Sequence, residues 1–178
     1  MRCLTVNEAR NILSVRSLLG ENNLPRLGEP EMNCGLFYFG DECLTNTFWV
    51  ALRMIESVGP FEAAWLWVHE PDTWKRNGLH LYDRLRLSYG DHRLIGEAPV
   101  HQFSGYEQAD LCSFLSVAII NEWSFYIVTS HDYGRLFVSQ SSGAEVWVRK
   151  PETLDSLVND LKSHDIAITV QPFGLGAE

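Results

Sequence analysis

The run "AAWLWV", residues 63–68, is apolar at every position. Successive side chains of an extended strand point to opposite faces of a sheet. A strand that is apolar on both faces needs cover on both, as a central strand of a covered sheet has. Pro71 and Asp72 end this strand, which the sequence sets at about residues 62–69. Any fold for the chain must place other elements against both sides of it.

The rest of the chain supplies that cover. Thr5 is followed three residues later by Glu8, a capping-box pattern. Ile12, Val15 and Leu19 continue at helical spacing, and Gly20 can close the turn, so a helix is expected at about 6–19. Leu44, Phe48, Leu52 and Ile55 make one helical face in "DECLTNTFWVALRMIESVG". Further helices are expected at about 79–89 and 107–121, and in "KPETLDSLVNDLKSHD", where Pro151 suits a first turn. "GLFYFG" reads as a buried strand, and "HRLIGEAPVHQFSG" as a connector. "SFYIVTS", "RLFVSQ" and "AEVWVR" read as three strands joined by the turns "HDYG" and "SSG", and "IAITVQP" as a last strand. Strand, helix and strand follow one another around 36–69 and again around 144–170, the pattern of a right-handed crossover. The expected fold is α/β (or α+β), a single domain over residues 1–178. It has one mixed sheet of about six strands, covered by about five helices, and a C-terminal antiparallel meander followed by helix and strand.

Composition narrows the function. Lys and Arg total 14 against 23 Asp and Glu, for a net charge of −9. Duplex binders gain affinity by neutralising phosphates with basic residues, so no nucleic-acid partner is expected. The longest apolar stretch, "FLSVAII", is far short of the ~20 residues that cross a bilayer. "MRCLTVNEARNIL" lacks the apolar core of a signal peptide. Cys3, Cys34, Cys43 and Cys112 form no C-x-x-C pair, which suits reduced thiols in the cytoplasm and gives no reason to expect a metal or cofactor. Nucleotide-loop, zinc-protease and nucleophile-elbow motifs are all missing from the sequence.

Two polar constellations remain. Lys75 to Arg93 carries five basic and two acidic residues, +3, so the rest of the chain stands at −12. Arg84, Arg86 and Arg93 are the candidate anion ligands, because the guanidinium fork suits carboxylate and phosphate. Asp91, His92 and His101 follow, and a histidine near a carboxylate can act as a general base. The plain alternative is that these arginines pair internally and hold the fold. His131 and Asp132, in "TSHDYGR", are the second set, an exposed catalytic or contact cluster or simply turn chemistry. His69 and Glu70 end the central strand, a place where α/β folds often carry sites.

"LHLYDRLRLSYGDHRLIGEAPVHQF", followed by "ADLCSFLSVAIINEWSFYIVTS", resembles a family of small bacterial proteins of unassigned function. The resemblance covers about residues 62–148. It implies a bacterial cytoplasmic single-domain protein and no particular activity.

The leading expectation is therefore a non-enzymatic protein-binding module whose acidic surface meets a basic partner. An immunity- or antitoxin-like inhibitor is its concrete version. The alternative is a small enzyme or anion-ligand-binding domain joining the 84–101 cluster to the 130–133 turn. A homodimer formed through an aromatic strand or helix face is the third reading.

Overall fold

The computed structural model describes residues 1–29, 31–39, 46–69, 79–139, 143–164, 166 and 168–173. Its elements in chain order are β1 (Arg2–Leu4), α1 (Val6–Val15), β2 (Asn33–Phe39), α2 (Thr47–Ser57), β3 (Ala63–Val68), α3 (Leu79–Ser88), β4 (Val100–Ser104), α4 (Gln108–Ile120), β5 (Phe125–Thr129), β6 (Gly134–Ser139), β7 (Gly143–Val148), α5 (Pro151–Ser163) and β8 (Ile168–Phe173). One eight-stranded sheet runs in the order β1-β4-β3-β5-β6-β7-β2-β8.

The class is the expected one, with five helices on one sheet. The sheet itself departs from expectation in strand number and in being antiparallel at every pairing rather than mixed. The reason lies in the crossovers. The pairings make β7 and β8, joined through α5, point the same way, but β2 is inserted between them. Likewise β2 and β3, joined through α2, share a direction but stand four places apart.

Strand alternation divides the core into two faces. Ala64, Leu66 and Val68 of β3 point toward α2, α3, α4 and α5, in a cluster that includes Met54, Tyr82, Phe114 and Leu161. Trp65 and Trp67 point the other way, against Ala9 and Leu13 of α1. The doubly apolar strand thus finds its cover in two helical layers of unequal size. Helix α4 lies innermost, with Leu111, Cys112, Phe114, Leu115, Ser116, Ala118 and Ile119 all buried.

The capping box of α1 forms as expected: Glu8 N donates to Thr5 Oγ1 at 3.3 Å and Thr5 N to Glu8 Oε2 at 2.8 Å. Its end differs. Ser17 takes the left-handed conformation (φ 57°) and Leu18 N closes on Leu13 O, so Gly20 lies beyond the helix and Val15 is 87% exposed.

Two strands were not expected. β1 has only three residues, too few to show an alternation. β4 falls in the presumed connector, because the polar His101 occupies a position that faces the core.

Candidate functional site

The stretch from Tyr82 to His101 runs down α3, turns at Gly90 (φ 79°) and returns as β4. Tyr82 and Arg86 lie one helical turn apart and are the two buried residues of α3. Beneath α3 is the β1–β4 pair, where Cys3 stands opposite His101. The guanidinium of Arg86 is 1% exposed. Its Nη2 lies 3.5 Å from the carbonyl oxygens of Leu94 and Ala98 and 3.7 Å from Asp91 Oδ1. Its Nε and Nη1 have no partner among the described residues.

Asp91 fixes the turn. It accepts from Arg93 N at 2.8 Å, Nε at 3.2 Å and Nη2 at 2.7 Å. Arg93 Nη2 also donates to Cys3 O at 2.9 Å, tying the turn to the edge strand. These hydrogen bonds from Arg93, with the charge of Arg86, hold the Asp91 carboxyl well below the usual carboxylate range. Burial pushes the Cys3 thiol up to about 11, so it is not a ready nucleophile.

His101 is a core residue. It is fully buried, its ring meets Tyr82 edge-on at 5.4 Å, and its Nδ1 lies 3.4 Å from the Tyr82 hydroxyl. Burial, reinforced by the nearby Arg86 charge, pushes it down to about 3. It is therefore neutral at physiological pH and faces no solvent. Arg84 and His92, by contrast, are exposed and form no ion pair with another described residue.

The 130–133 turn, between β5 and β6, is equally committed to structure. Ser130 Oγ accepts from the backbone of Glu62 and Ala63 at 3.1 and 3.2 Å. Asp132, at φ 51°, receives Arg135 and Arg149, each at 2.7 Å. Arg135 is 1% exposed; it also reaches Glu29 at 2.9 Å and the Arg26 carbonyl at 3.0 Å. Arg149 continues to Glu29 and Glu31. Arg26 joins through Glu29 at 3.4 Å, so three arginines meet three carboxylates in one network. His131 stacks on Tyr133.

The two clusters do not come together. β6 lies three places from β4 in the sheet, and no hydrogen bond or ion pair among the described residues joins residues 84–101 to residues 130–133. The composite site expected from the sequence is not formed. His69 is half-buried, its ring against Tyr126 and Phe137. Glu70 and Cys43 lie outside the described residues.

Sequence reasoning missed Arg135, Arg149 and Glu29. The available signal was Arg135 itself, an arginine inside the otherwise apolar "RLFV" of an interior strand, where a charge requires partners.

Two surface features remain. A cavity of about 480 Å³ opens beside β1 and the end of α3, walled by Arg2, Cys3, Glu8, Asp91, His92 and Arg93. On the opposite flank, α2 and α5 enclose a groove of about 230 Å³. There Arg53 lies 3.9 Å over the Trp49 ring and pairs with Glu56 and Asp160, each at 2.7 Å. The outer face of α5 continues from this groove as Glu152, Asp155, Asn159, Asp160 and Ser163. Glu152, Asp155, Asn159 and Ser163 follow at steps of three and four, on one side of the helix, with Asp160 at its border with the groove.

Among the described residues no group of three or more His, Cys, Asp or Glu is placed to hold a metal ion. No helix among them is long and apolar enough to cross a membrane. The chain matches no protein-family model, no curated protein and no solved structure.

Proposed function

We propose that this chain is a cytoplasmic, non-enzymatic protein-binding module that receives a basic protein partner on the outer face of α5. The observation that carries the reading is the contiguous acidic face. Glu152 and Asp155 are exposed on α5 and form no ion pair with a described residue. Glu56 and Asp160 extend the face across the groove, with Arg53 the one cation lining it among the described residues. Long-range attraction between such a face and a basic partner speeds encounter and selects against acidic competitors.

The internal commitment of the histidines and arginines supports the same reading. His101 is sealed in the core, Arg86 is held below Asp91, and Asp132 is saturated by two arginines. None of these groups is left to move a proton on a substrate. An immunity- or antitoxin-like inhibitor of a basic bacterial toxin is the version we favour, since toxins that act on nucleic acid need basic surfaces.

The test is comparative capture from the native host. Wild-type chain, the pair Glu152→Lys/Asp155→Lys, and a control pair Glu21→Lys/Asp83→Lys of equal charge are used as bait. A basic protein held by wild type and control, and lost from the α5 pair, is the expected result. A partner held equally by all three baits would overturn the reading.

A further inference from the structure

We infer that the cavity between β1 and the end of α3 binds a small molecule through one carboxylate or phosphate group, independently of the protein-binding reading above. Its basis is an imbalance of charge in the cavity wall. Arg86 and Arg93 share a single carboxylate, Asp91, which sits 3.7 Å from one and 2.7 Å from the other. The other buried arginine among the described residues is treated differently: Arg135 belongs to a network with as many carboxylates as arginines. A buried guanidinium normally has its charge matched and its donors filled. Arg86 lacks both, with a shared counter-ion and two donor atoms unfilled among the described residues.

The surplus reaches the cavity. Asp91 and Arg93 line it, and Arg86, outside the lining itself, lies 3.7 Å from the Asp91 carboxylate. His92 stands between Asp91 and Arg93 on the same wall, exposed and without an ion pair among the described residues. Asp91 and the Cys3 carbonyl already occupy Nε and Nη2 of Arg93, leaving Nη1 for an incoming oxygen. The other charges define the ligand further. Arg2 pairs with Glu8 at 3.3 Å, the terminal amine of Met1 pairs with Glu107, and Asp110 holds the Tyr89 hydroxyl. With the Glu8 carboxylate on the same wall, a polyanion is disfavoured, and a ligand with a single oxyanion group fits. The volume is in the range of small-molecule sites.

Two probes separate the possible sources of the oxyanion: inorganic phosphate and propionate, each titrated against the full chain at constant ionic strength. Binding is followed by the backbone amide signals of Cys3 and Gly90 to Arg93. Saturable shifts confined to these residues, with a Kd of millimolar order for at least one probe, are expected. Arg93→Gln should weaken that binding about tenfold, since about 1.4 kcal/mol of charge-assisted contact is lost. Arg84→Gln, on the exposed side of α3, should leave it unchanged. His92→Ala provides a second variant whose fold rests on no buried contact. Shifts that never saturate for either probe would overturn the inference. So would equal weakening by Arg84→Gln and Arg93→Gln, or binding unaffected by both Arg93→Gln and His92→Ala.

Discussion

Arg84 and Arg86 are two residues apart, yet they occupy different worlds. A helix turns 200° over two residues, so one faces solvent while the other is driven under α3. Arg86→Ala leaves the Leu94 and Ala98 carbonyls without their shared donor and Asp91 without a buried counter-charge. It should lower stability by on the order of 3 kcal/mol, whereas Arg84→Ala should stay within about 0.5 kcal/mol. Urea midpoints of the two variants check this directly; similar midpoints would show that Arg86 is not a structural charge. His101 makes the pH dependence of the fold explicit. It titrates near 6.5 when unfolded but is pushed down to about 3 in the fold. The unfolded chain therefore binds the extra proton between those values, and stability falls as pH drops from about 6.5 toward 3. Asp91 acts in a lower window. Its carboxyl is depressed in the fold, so its contribution is lost only as pH falls below about 4. Unfolding free energies at pH 7, 5 and 4 should decline in wild type and decline less in His101→Gln. Parallel declines would remove His101 as the cause.

At the scale of elements, the chain was most legible where periodicity was clean. α5, α4 and the β5–β6–β7 meander follow from their apolar spacing and turn residues, and the structure places them within a residue or two. β4 was hidden by one residue: a histidine at a core position reads as polar unless its partners Tyr82 and Phe114 are known. Those partners come from α3 and α4, which no local pattern connects. The segment from Arg26 to Glu29 was opaque for the same reason. It is pinned by Arg135 and Arg149, more than a hundred residues away. Arg135→Ala removes that pin. Its expected effect is a loss of several kcal/mol and new protease cleavage among residues 21–31, read by mass spectrometry. Unchanged cleavage would mean that the segment is held by Leu27 packing on Trp147 and Met32 instead. Gly28 tests the same junction from the other side: a Cβ there would meet the Trp147 ring at 2.4 Å, so Gly28→Ala should also loosen the segment.

At the scale of the molecule, the fold decides which charges pair inside it and which face outward. From the basic island at 75–93, conspicuous in the sequence, Arg86 is buried at one sheet edge, where it and the exposed Arg93 converge on Asp91. Glu152, Asp155 and Asp160 line one surface of α5, whose residues looked in sequence like an ordinary amphipathic helix. The sequence could supply the net charge of −9 but not its address, because the address depends on which helix face the sheet leaves outward. The central claim is that the outward face of α5 meets a basic protein. It is tested most directly by amide hydrogen exchange on the chain alone and in complex with the partner captured from its host. New protection concentrated at residues 152–163 and the adjoining end of α2 is the expected result. Protection concentrated at residues 89–93 and β1, with α5 unchanged, would contradict it.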